Sequence, residues 1–331
     1  MTELVAVTGA EGFIGSHLVE ALVQRGHRVK AMVLYNMWSS CSWLDTLAPD
    51  IRANVDVVMG DVRDPASARE LVEDAEVVYH LAAIGSVPYS YRAPRTFVDN
   101  NSIGTLHILE AVRACRTPRL VHTSTSETYG TARTVPISES HPLQAQSPYA
   151  ASKIAADKLA ESYHLSFGLP VVTLRPFNTY GPRQSTRAVI PQIITQLAGG
   201  ARQIKLGALD PTRDFSYVTD TVQAFIDVGT APASAVLGEV FNCGPGDDVA
   251  IGKLAEQIAA LMGVQADIVE DAQRLRPKES EVMRLVCDAI KLRERTGWKP
   301  AVTRDEGLRR TIVWFSDPAN LARFTASGYQ V

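Results

Sequence analysis

The stretch "VAVTGAEGFIGSHL", from Val5 to Leu18, constrains this chain more than any other. It opens as an apolar strand. Gly9, Gly12 and Gly15 follow at GxxGxxG spacing, and an apolar-periodic helix begins directly after them. Glycines at such a turn let the backbone bend tightly and come close to a ligand, while the helix N-terminus faces any anion held there. A pyrophosphate suits that arrangement, so the motif predicts a dinucleotide site behind the first strand. A strand that leads straight into a helix also favours a parallel partner, reached by crossing over.

The first half of the chain follows this pattern. Strands are predicted at Leu4–Val7, Val29–Val33, Val55–Met59, Val77–Leu81, Leu120–Ser124 and Val171–Arg175, with amphipathic helices such as Ile14–Arg25 and Ile103–Arg113 between several of them. This alternation predicts an α/β fold, a Rossmann-type doubly wound parallel sheet with helices on both faces. Beyond about residue 176, loops rich in Pro, Gly and Arg are interleaved with short strands and helices such as Ile251–Met262. The expected division is a dinucleotide-binding unit over 1–175, with parts of 205–245 returning to it. Residues 176–331 form mainly a smaller α/β substrate lobe.

Composition excludes several roles. A net charge of −3 over 331 residues gives no electrostatic footprint for nucleic acid or an anionic membrane. No apolar run reaches transmembrane length. The opening residues enter a strand with no basic n-region or cleavage site, so a cytoplasmic location is expected. Cys41, Cys115, Cys243 and Cys287 lack metal-ligand or CxxC spacing and read as reduced thiols.

The acid that usually meets the ribose 2′-hydroxyl lies about 20 residues beyond the glycine turn. Here that position falls at Val33 in "HRVKAMVLYN", which holds no Asp or Glu. NAD is the expected cofactor, with NADP left open. Arg28 and Lys30 read as solvated surface. Asp61 in "GDVRD" is placed to accept from the adenine amine, and "HLAAIGS" (His80–Ser86) ends a strand where the cofactor should lie.

In "SPYAASK", Ser147 reads as an N-cap and Pro148 as the first helical residue. Tyr149 and Lys153 then stand four apart on one helix face. An ammonium and a positive nicotinamide ring would favour the Tyr149 phenolate, a base able to take a hydroxyl proton as hydride leaves the same carbon.

With these motifs in view, the chain resembles the extended short-chain dehydrogenases/reductases of the nucleotide-sugar epimerase/dehydratase family. The likeness runs through "TGAEGFIG", "HLAA", "NSIGT", "SPYAASK", "LRPFNTYGPRQ", "TRDFSYVTD" and "GWKP". It implies Thr125, Tyr149 and Lys153 as a catalytic triad and Asn101 as a helix-kink asparagine. It implies Phe13, Ile14, Val62, Leu81, Ala82, Ala83 and Phe177 around the cofactor, beside the glycines and Asp61. It places Ser86, Asn178, Arg187 and Val189 at the substrate, with Arg213 and Arg276 as phosphate-clamping arginines. It also implies a homodimer paired through a four-helix bundle formed by about Arg95–Ala114 and Tyr149–Phe167.

"VHTSTSETYG" adds a distinction within the family. Alternation along a strand would turn Thr125 and Glu127 to one side. The 4-epimerases typically carry a small or aliphatic residue at the Glu127 position. The 4,6-dehydratases carry a Glu, in Thr-Asp-Glu or Thr-Ser-Glu, and this chain reads Thr125-Ser126-Glu127. Oxidation at C4 of a sugar acidifies the C5 proton, which a carboxylate removes as general base while water leaves from C6. Ser126 stands where the acid of Thr-Asp-Glu enzymes would be, so Glu127 itself, carrying the C5 proton across, becomes the candidate acid. The expectation is a nucleotide-sugar 4,6-dehydratase, a lyase.

"VLYNMWSSCSWLD" and "RPFNTYGPRQSTRAVIPQIITQL" resemble the N-acetylglucosamine 4,6-dehydratases of legionaminic-acid-type pathways, which implies a UDP- or GDP-linked substrate and places Arg183 and Arg187 near the nucleotide. Three alternatives stand beside this one: a UDP-glucuronate decarboxylase, a 4-epimerase and a non-enzymatic dinucleotide sensor.

Overall fold

The structure is a computed structural model that describes residues 3–324; the last residues of the expected substrate lobe, 325–331, lie outside the described residues. The strands are β1 Leu4–Thr8, β2 Arg28–Leu34, β3 Val55–Gly60, β4 Val77–His80, β5 Arg119–Thr123, β6 Val171–Pro176, β7 Asn178–Tyr180, β8 Gln203–Leu206, β9 Thr212–Tyr217, β10 Val240–Cys243, β11 Asp248–Ala250 and β12 Asp267–Glu270. The longer helices are α1 Phe13–Gln24, α2 Pro65–Val72, α3 Gly104–Cys115, α4 Pro148–Phe167, α5 Val189–Ala198, α6 Val218–Thr230, α7 Ile251–Met262 and α8 Arg304–Ser316.

Seven strands form one sheet in the order β10-β6-β5-β4-β1-β2-β3, and every pair in it is parallel. The predicted doubly wound sheet is therefore present, with strand ends within a residue or so of the expected ones. Smaller sheets, β11-β9-β7 and β12-β8, lie beyond it. Side-chain alternation divides the core. Val5 and Val7 of β1 face one hydrophobic cluster with Leu18, Leu22 and Phe225 of α1 and α6. Ala6 between them faces the other, with Leu71, Ile108 and Leu109 of α2 and α3. Every residue of β4 and β6 is buried, as central parallel strands covered on both faces require.

The order of strands reverses between β1 and β4, and ligands of such sheets bind at the carboxyl ends beside that switch point. The glycine turn and "LAA" both lie there. α4 begins as predicted: the Ser147 hydroxyl accepts from the Ala150 N–H at 3.1 Å, Pro148 is the first helical residue, and Gly168 ends the helix at φ 64°. The helix predicted over Ile103–Arg113 is longer and less regular. A π-helical segment, Val98–Ile103, precedes α3.

One buried carboxylate ties α4 to the sheet. Asp157 accepts from His122 Nε2 of β5 at 3.1 Å and from the Ser124 hydroxyl at 2.7 Å. It also accepts from Arg175 Nε and Nη2 of β6 at 3.1 and 2.9 Å. Burial alone would raise the Asp157 pKa, but the His122 hydrogen bond and the Arg175 charge outweigh it and hold the group at about 2. Burial keeps His122 neutral by pushing its pKa down.

Because the folded pKa of Asp157 is depressed, its stabilisation is present above the ordinary carboxylate pKa of about 4 and is lost as pH falls toward about 2. Asp157→Asn, which leaves Arg175 buried without its charge partner, is expected to cost about 3–5 kcal/mol at pH 7. Urea unfolding at pH 7, 5 and 3 checks this: the gap between variant and parent should be full at pH 7 and 5 and shrink at pH 3. An equal gap at all three would rule out the ionised carboxylate as its source.

Candidate active site

The glycine turn meets the segment after β4 directly. Gly9 has φ +63°, and a Cβ there would stand 2.9 Å from the Ala82 backbone; at Gly15 it would stand 2.1 Å from the Gly9 carbonyl oxygen. Backbone thus packs on backbone, leaving a cradle at the α1 N-terminus with no side chain to obstruct an anion. This is the geometry a dinucleotide pyrophosphate needs. Phe13 and Ile14 open α1, partly buried, and Leu81 and Ala82 are partly buried opposite, while Ala83 is exposed. Val62 is buried, and its carbonyl accepts from the His107 ring.

Beneath the cradle runs a polar line with one consistent set of protons. The Thr105 hydroxyl donates to the Asn101 carbonyl, so it accepts from His80 Nε2–H at 3.0 Å. His80 Nδ1 then accepts from the Thr8 hydroxyl at 2.8 Å, and Thr8 accepts from the Ala82 N–H at 2.9 Å. Burial holds the His80 pKa well below the ordinary histidine range, so this support stays neutral. Asn101, within the π-helical segment, accepts from the Ile84 N–H at 2.9 Å and donates to the Ser152 hydroxyl at 3.0 Å. It joins the segment after β4 to α4, and π-helical turns of this kind recur at functional sites.

Tyr149 and Lys153 share a face of α4, and in the protein alone burial dominates the electrostatics of both. Burial raises the Tyr149 pKa to about 12, opposed by a hydrogen bond from Thr125 and reinforced by the charges of Glu127 and Asp157. The Lys153 ammonium donates to the Thr123 carbonyl at the end of β5, at 2.5 Å. Burial lowers its pKa to about 8, against the pull of Asp157. In the protein alone the phenol is thus held protonated. Lys153 is directed to backbone, and the expected phenolate relies also on the positive nicotinamide ring of the loaded site.

Thr125 and Glu127 do come to the same site, by a different route from strand alternation. β5 ends at Thr123, Thr125 caps a 3-10 turn over Ser126–Tyr129, and its hydroxyl accepts from the Glu127 N–H at 3.3 Å. Ser126 is buried at 2% exposure and Glu127 at 9%. Arg276 Nη1 lies 3.7 Å from Glu127 Oε2 and 3.7 Å from Glu281 Oε1, and Arg213 Nη2 donates to Glu281 Oε1 at 3.1 Å. Two guanidinium groups and two carboxylates therefore converge beside the Thr125–Tyr149 pair. The segment carrying Arg276 and Glu281 is laid across the 131–146 region. Gln146 Nε2 donates to the Glu279 carbonyl at 3.0 Å, and the Ile137 N–H donates to the Val286 carbonyl at 2.7 Å.

The other expected positions divide. Phe177 is buried, and its N–H donates to the Cys243 carbonyl at 2.8 Å. Asn178 Nδ2 is buried with no acceptor among the described residues, so it has hydrogen-bonding capacity for a ligand. Ser86 caps a short helix, Val87–Arg92, at partial exposure. Val189 opens α5 and Arg187 is exposed. Arg183 lies against α1: its Nη2 pairs with Glu20 at 2.9 Å and its Nη1 is 3.5 Å from the Ser16 hydroxyl. Both oxygens of Asp61 are engaged by Arg63, whose hydrogen bonds hold that carboxyl below its usual range. Asp157, Glu281 and Glu11, whose carboxylate accepts from the Leu34 N–H at 3.0 Å, did not stand out in the sequence. For Asp157 a signal existed: an acid four residues after Lys153 on the same buried helix face.

Comparison with known proteins shows what the chain is similar to. The family described as GDP-mannose 4,6 dehydratase matches residues 6–311. A dTDP-glucose 4,6-dehydratase of Xanthomonas campestris pv. campestris is 33% identical over 333 residues, covering 93% of this chain and 92% of that protein. A UDP-N-acetyl-alpha-D-glucosaminuronate decarboxylase of Bacillus cytotoxicus is also 33% identical, covering 97% of this chain and 100% of its own length. Among solved structures, the dTDP-glucose 4,6-dehydratase DesIV of Streptomyces venezuelae, solved with NAD bound, superposes with a TM-score of 0.86. It is 28% identical and covers 97% of this chain and 98% of its own.

The cradle yields a stability contrast. Gly15→Ala, whose Cβ would meet backbone, should cost about 1–3 kcal/mol. Gly85→Ala, with no atom within 4 Å of the added Cβ, should leave the urea midpoint unchanged. Equal midpoints for the two variants would show that the turn is not close-packed.

Proposed function

Since this chain belongs to the GDP-mannose 4,6-dehydratase family of NAD-dependent epimerases and dehydratases, within the extended short-chain dehydrogenases/reductases, we propose that it is a nucleotide-sugar 4,6-dehydratase. The observation that carries the reading is the buried Glu127 carboxylate held beside Thr125 and Tyr149 and paired with Arg276. A 4-epimerase needs no group at C5, and would leave a buried carboxylate with no task. The cofactor is NAD, as in the structural neighbour solved with it, and the glycine cradle supports this. The units follow the same assignment: 1–175, with parts of 205–245, for the cofactor, and mainly 176–331 for the sugar nucleotide.

Bound NAD would supply a hydride acceptor for C4, later the donor for C6, and, while oxidised, a positive ring charge. The chain's own groups move the protons and hold the substrate. Tyr149 takes the proton of the 4-hydroxyl as a phenolate, which the Thr125 hydrogen bond and the positive charge of the oxidised nicotinamide would favour against the burial that otherwise keeps the phenol protonated. Lys153, anchored on the Thr123 carbonyl, fixes that end of α4. Glu127 removes the C5 proton, made acidic by the new 4-ketone, and delivers it to the leaving C6 hydroxyl as water departs. With Ser126 buried and no carboxylate at that position, Glu127 serves as both base and acid. Arg213 and Arg276 hold the diphosphate, for which guanidinium geometry is suited. C5 regains a proton as C6 is reduced, balancing the one that Tyr149 removed, and the product is the 4-keto-6-deoxy sugar on the same nucleotide, with the cofactor restored.

The substrate proposed is a UDP- or GDP-linked N-acetylhexosamine or hexose, a choice that rests on the N-acetylglucosamine dehydratase-like motifs. A cytoplasmic homodimer is proposed with it. Ile103 and Leu165, on the helices that the family pairs across its two-fold, are left exposed here. Sedimentation as a monomer at micromolar concentration would count against the dimer.

Mass spectrometry of UDP- and GDP-N-acetylglucosamine and the corresponding hexoses, incubated with the protein and catalytic NAD, should show loss of one water from one donor. An isomer of unchanged mass would mean an epimerase. Loss of carbon dioxide from a UDP-glucuronate would favour the decarboxylase, the reading to which the Bacillus cytotoxicus relative lends weight. Glu127→Gln should keep cofactor binding and lose about 10²–10⁴-fold in dehydration. Unchanged turnover would remove Glu127 from the mechanism.

A further inference from the structure

The end of β2 is where a dinucleotide's adenosine ribose is ordinarily met by an acid. In this chain β2 ends at Leu34 with no acid on the strand. A carboxylate is present at that place all the same, delivered from the glycine turn. Glu11 Oε1 accepts from the Leu34 N–H at 3.0 Å. Glu11 Oε2 is buried and has no hydrogen-bond donor among the described residues. A carboxylate oxygen withdrawn from water without a donor is costly, so the position is incomplete in the protein alone. The turn that carries it is fixed on both sides: the Gly12 N–H donates to the Gly9 carbonyl at 3.1 Å, and the Ala10 N–H to the Met32 carbonyl of β2 at 3.4 Å.

Among the described residues, the cations around the end of β2 have partners of their own: Arg52, packed near Cys41, donates to the Val55 carbonyl at 2.9 Å. Residues 33–51 contain no Lys or Arg. Arg28 is paired with Asp56 at 2.7 Å, Lys30 donates to the Glu70 and Glu73 carbonyls, and Arg63 is engaged by Asp61.

We propose that Glu11 is the specificity-determining carboxylate of the cofactor site, its free oxygen accepting from an adenosine ribose hydroxyl of NAD and its charge excluding the 2′-phosphate of NADP. This rests on the dinucleotide reading of the site and extends it to a residue outside the strand position where the acid is usual.

The test is equilibrium binding, independent of turnover: isothermal titration of the cofactor-free protein with NAD and, separately, NADP at matched ionic strength. The unaltered chain should bind NAD at least about tenfold more tightly. Glu11→Gln keeps an oxygen for the Leu34 N–H but removes the charge, and should narrow the NAD-over-NADP ratio by about tenfold. Glu11→Lys should move the ratio further toward NADP. A ratio unchanged in both variants, or an unaltered chain that prefers NADP, would overturn the role of Glu11 and leave the dinucleotide site standing. Binding of neither dinucleotide by the unaltered chain would overturn both.

Discussion

The site depends first on a charge that never touches it. Asp157 lies one helical turn beyond Lys153 and is buried against β5 and β6, where His122, Ser124 and Arg175 converge on its two oxygens. A lone carboxylate at that depth would neutralise or force the helix away. Held by three partners it does the reverse, and locks the rotation and height of α4 over the sheet. Tyr149 and Lys153 inherit their positions from that lock. The same charge partly offsets the burial that lowers the Lys153 pKa, so one group sets both the geometry and the electrostatics of the helix face.

The network continues outward from Arg175. Its Nη1 donates to the Tyr129 hydroxyl at 2.9 Å, which donates in turn to Asn242 Oδ1 of β10 at 2.7 Å. The Asn242 N–H donates to Glu139 Oε1 at 2.8 Å, and its side chain donates to the Ile137 carbonyl at 2.9 Å. Tyr129 closes the 3-10 turn that carries Glu127, so the carboxylate beside Thr125 is indirectly anchored on the same set of buried charges as the Tyr149 helix. Rigid placement of this kind keeps an acid–base group within reach of its proton without an entropic penalty at each turnover.

Local signals in the sequence were legible where one residue type answers one local demand. Ser147 and Pro148 mark a helix start wherever they fall, and Gly9 and Gly15 are required where backbone meets backbone. Demands settled by tertiary contact were not legible. The ion pair of Arg183 with Glu20, far away in sequence, is one such contact. Glu127 was expected to reach the site by strand alternation, yet the strand stops early and a capped 3-10 turn does the work. For Tyr149, spacing shows Lys153 but not the burial that raises the phenol pKa in the protein alone. The ribose acid was sought on the strand because spacing rules follow the chain, whereas Glu11 arrives across the turn.

The position of β10 has a consequence for how the chain assembles. It pairs in parallel with β6, Val240 beside Thr173 and Cys243 beside Pro176, across an intervening stretch that includes β7, β8 and β9. Until residue 243 is synthesised, the outer edge of β6 has no partner and its row of amide groups stays open. Asn242 arrives with the same strand, so the anchors of Tyr129 and Glu139 are also missing until then. Closing such a distant pairing pays its loop entropy before it gains its contacts. On the ribosome, therefore, the glycine cradle is composed of early residues, while the platform under Glu127 is completed only when β10 emerges.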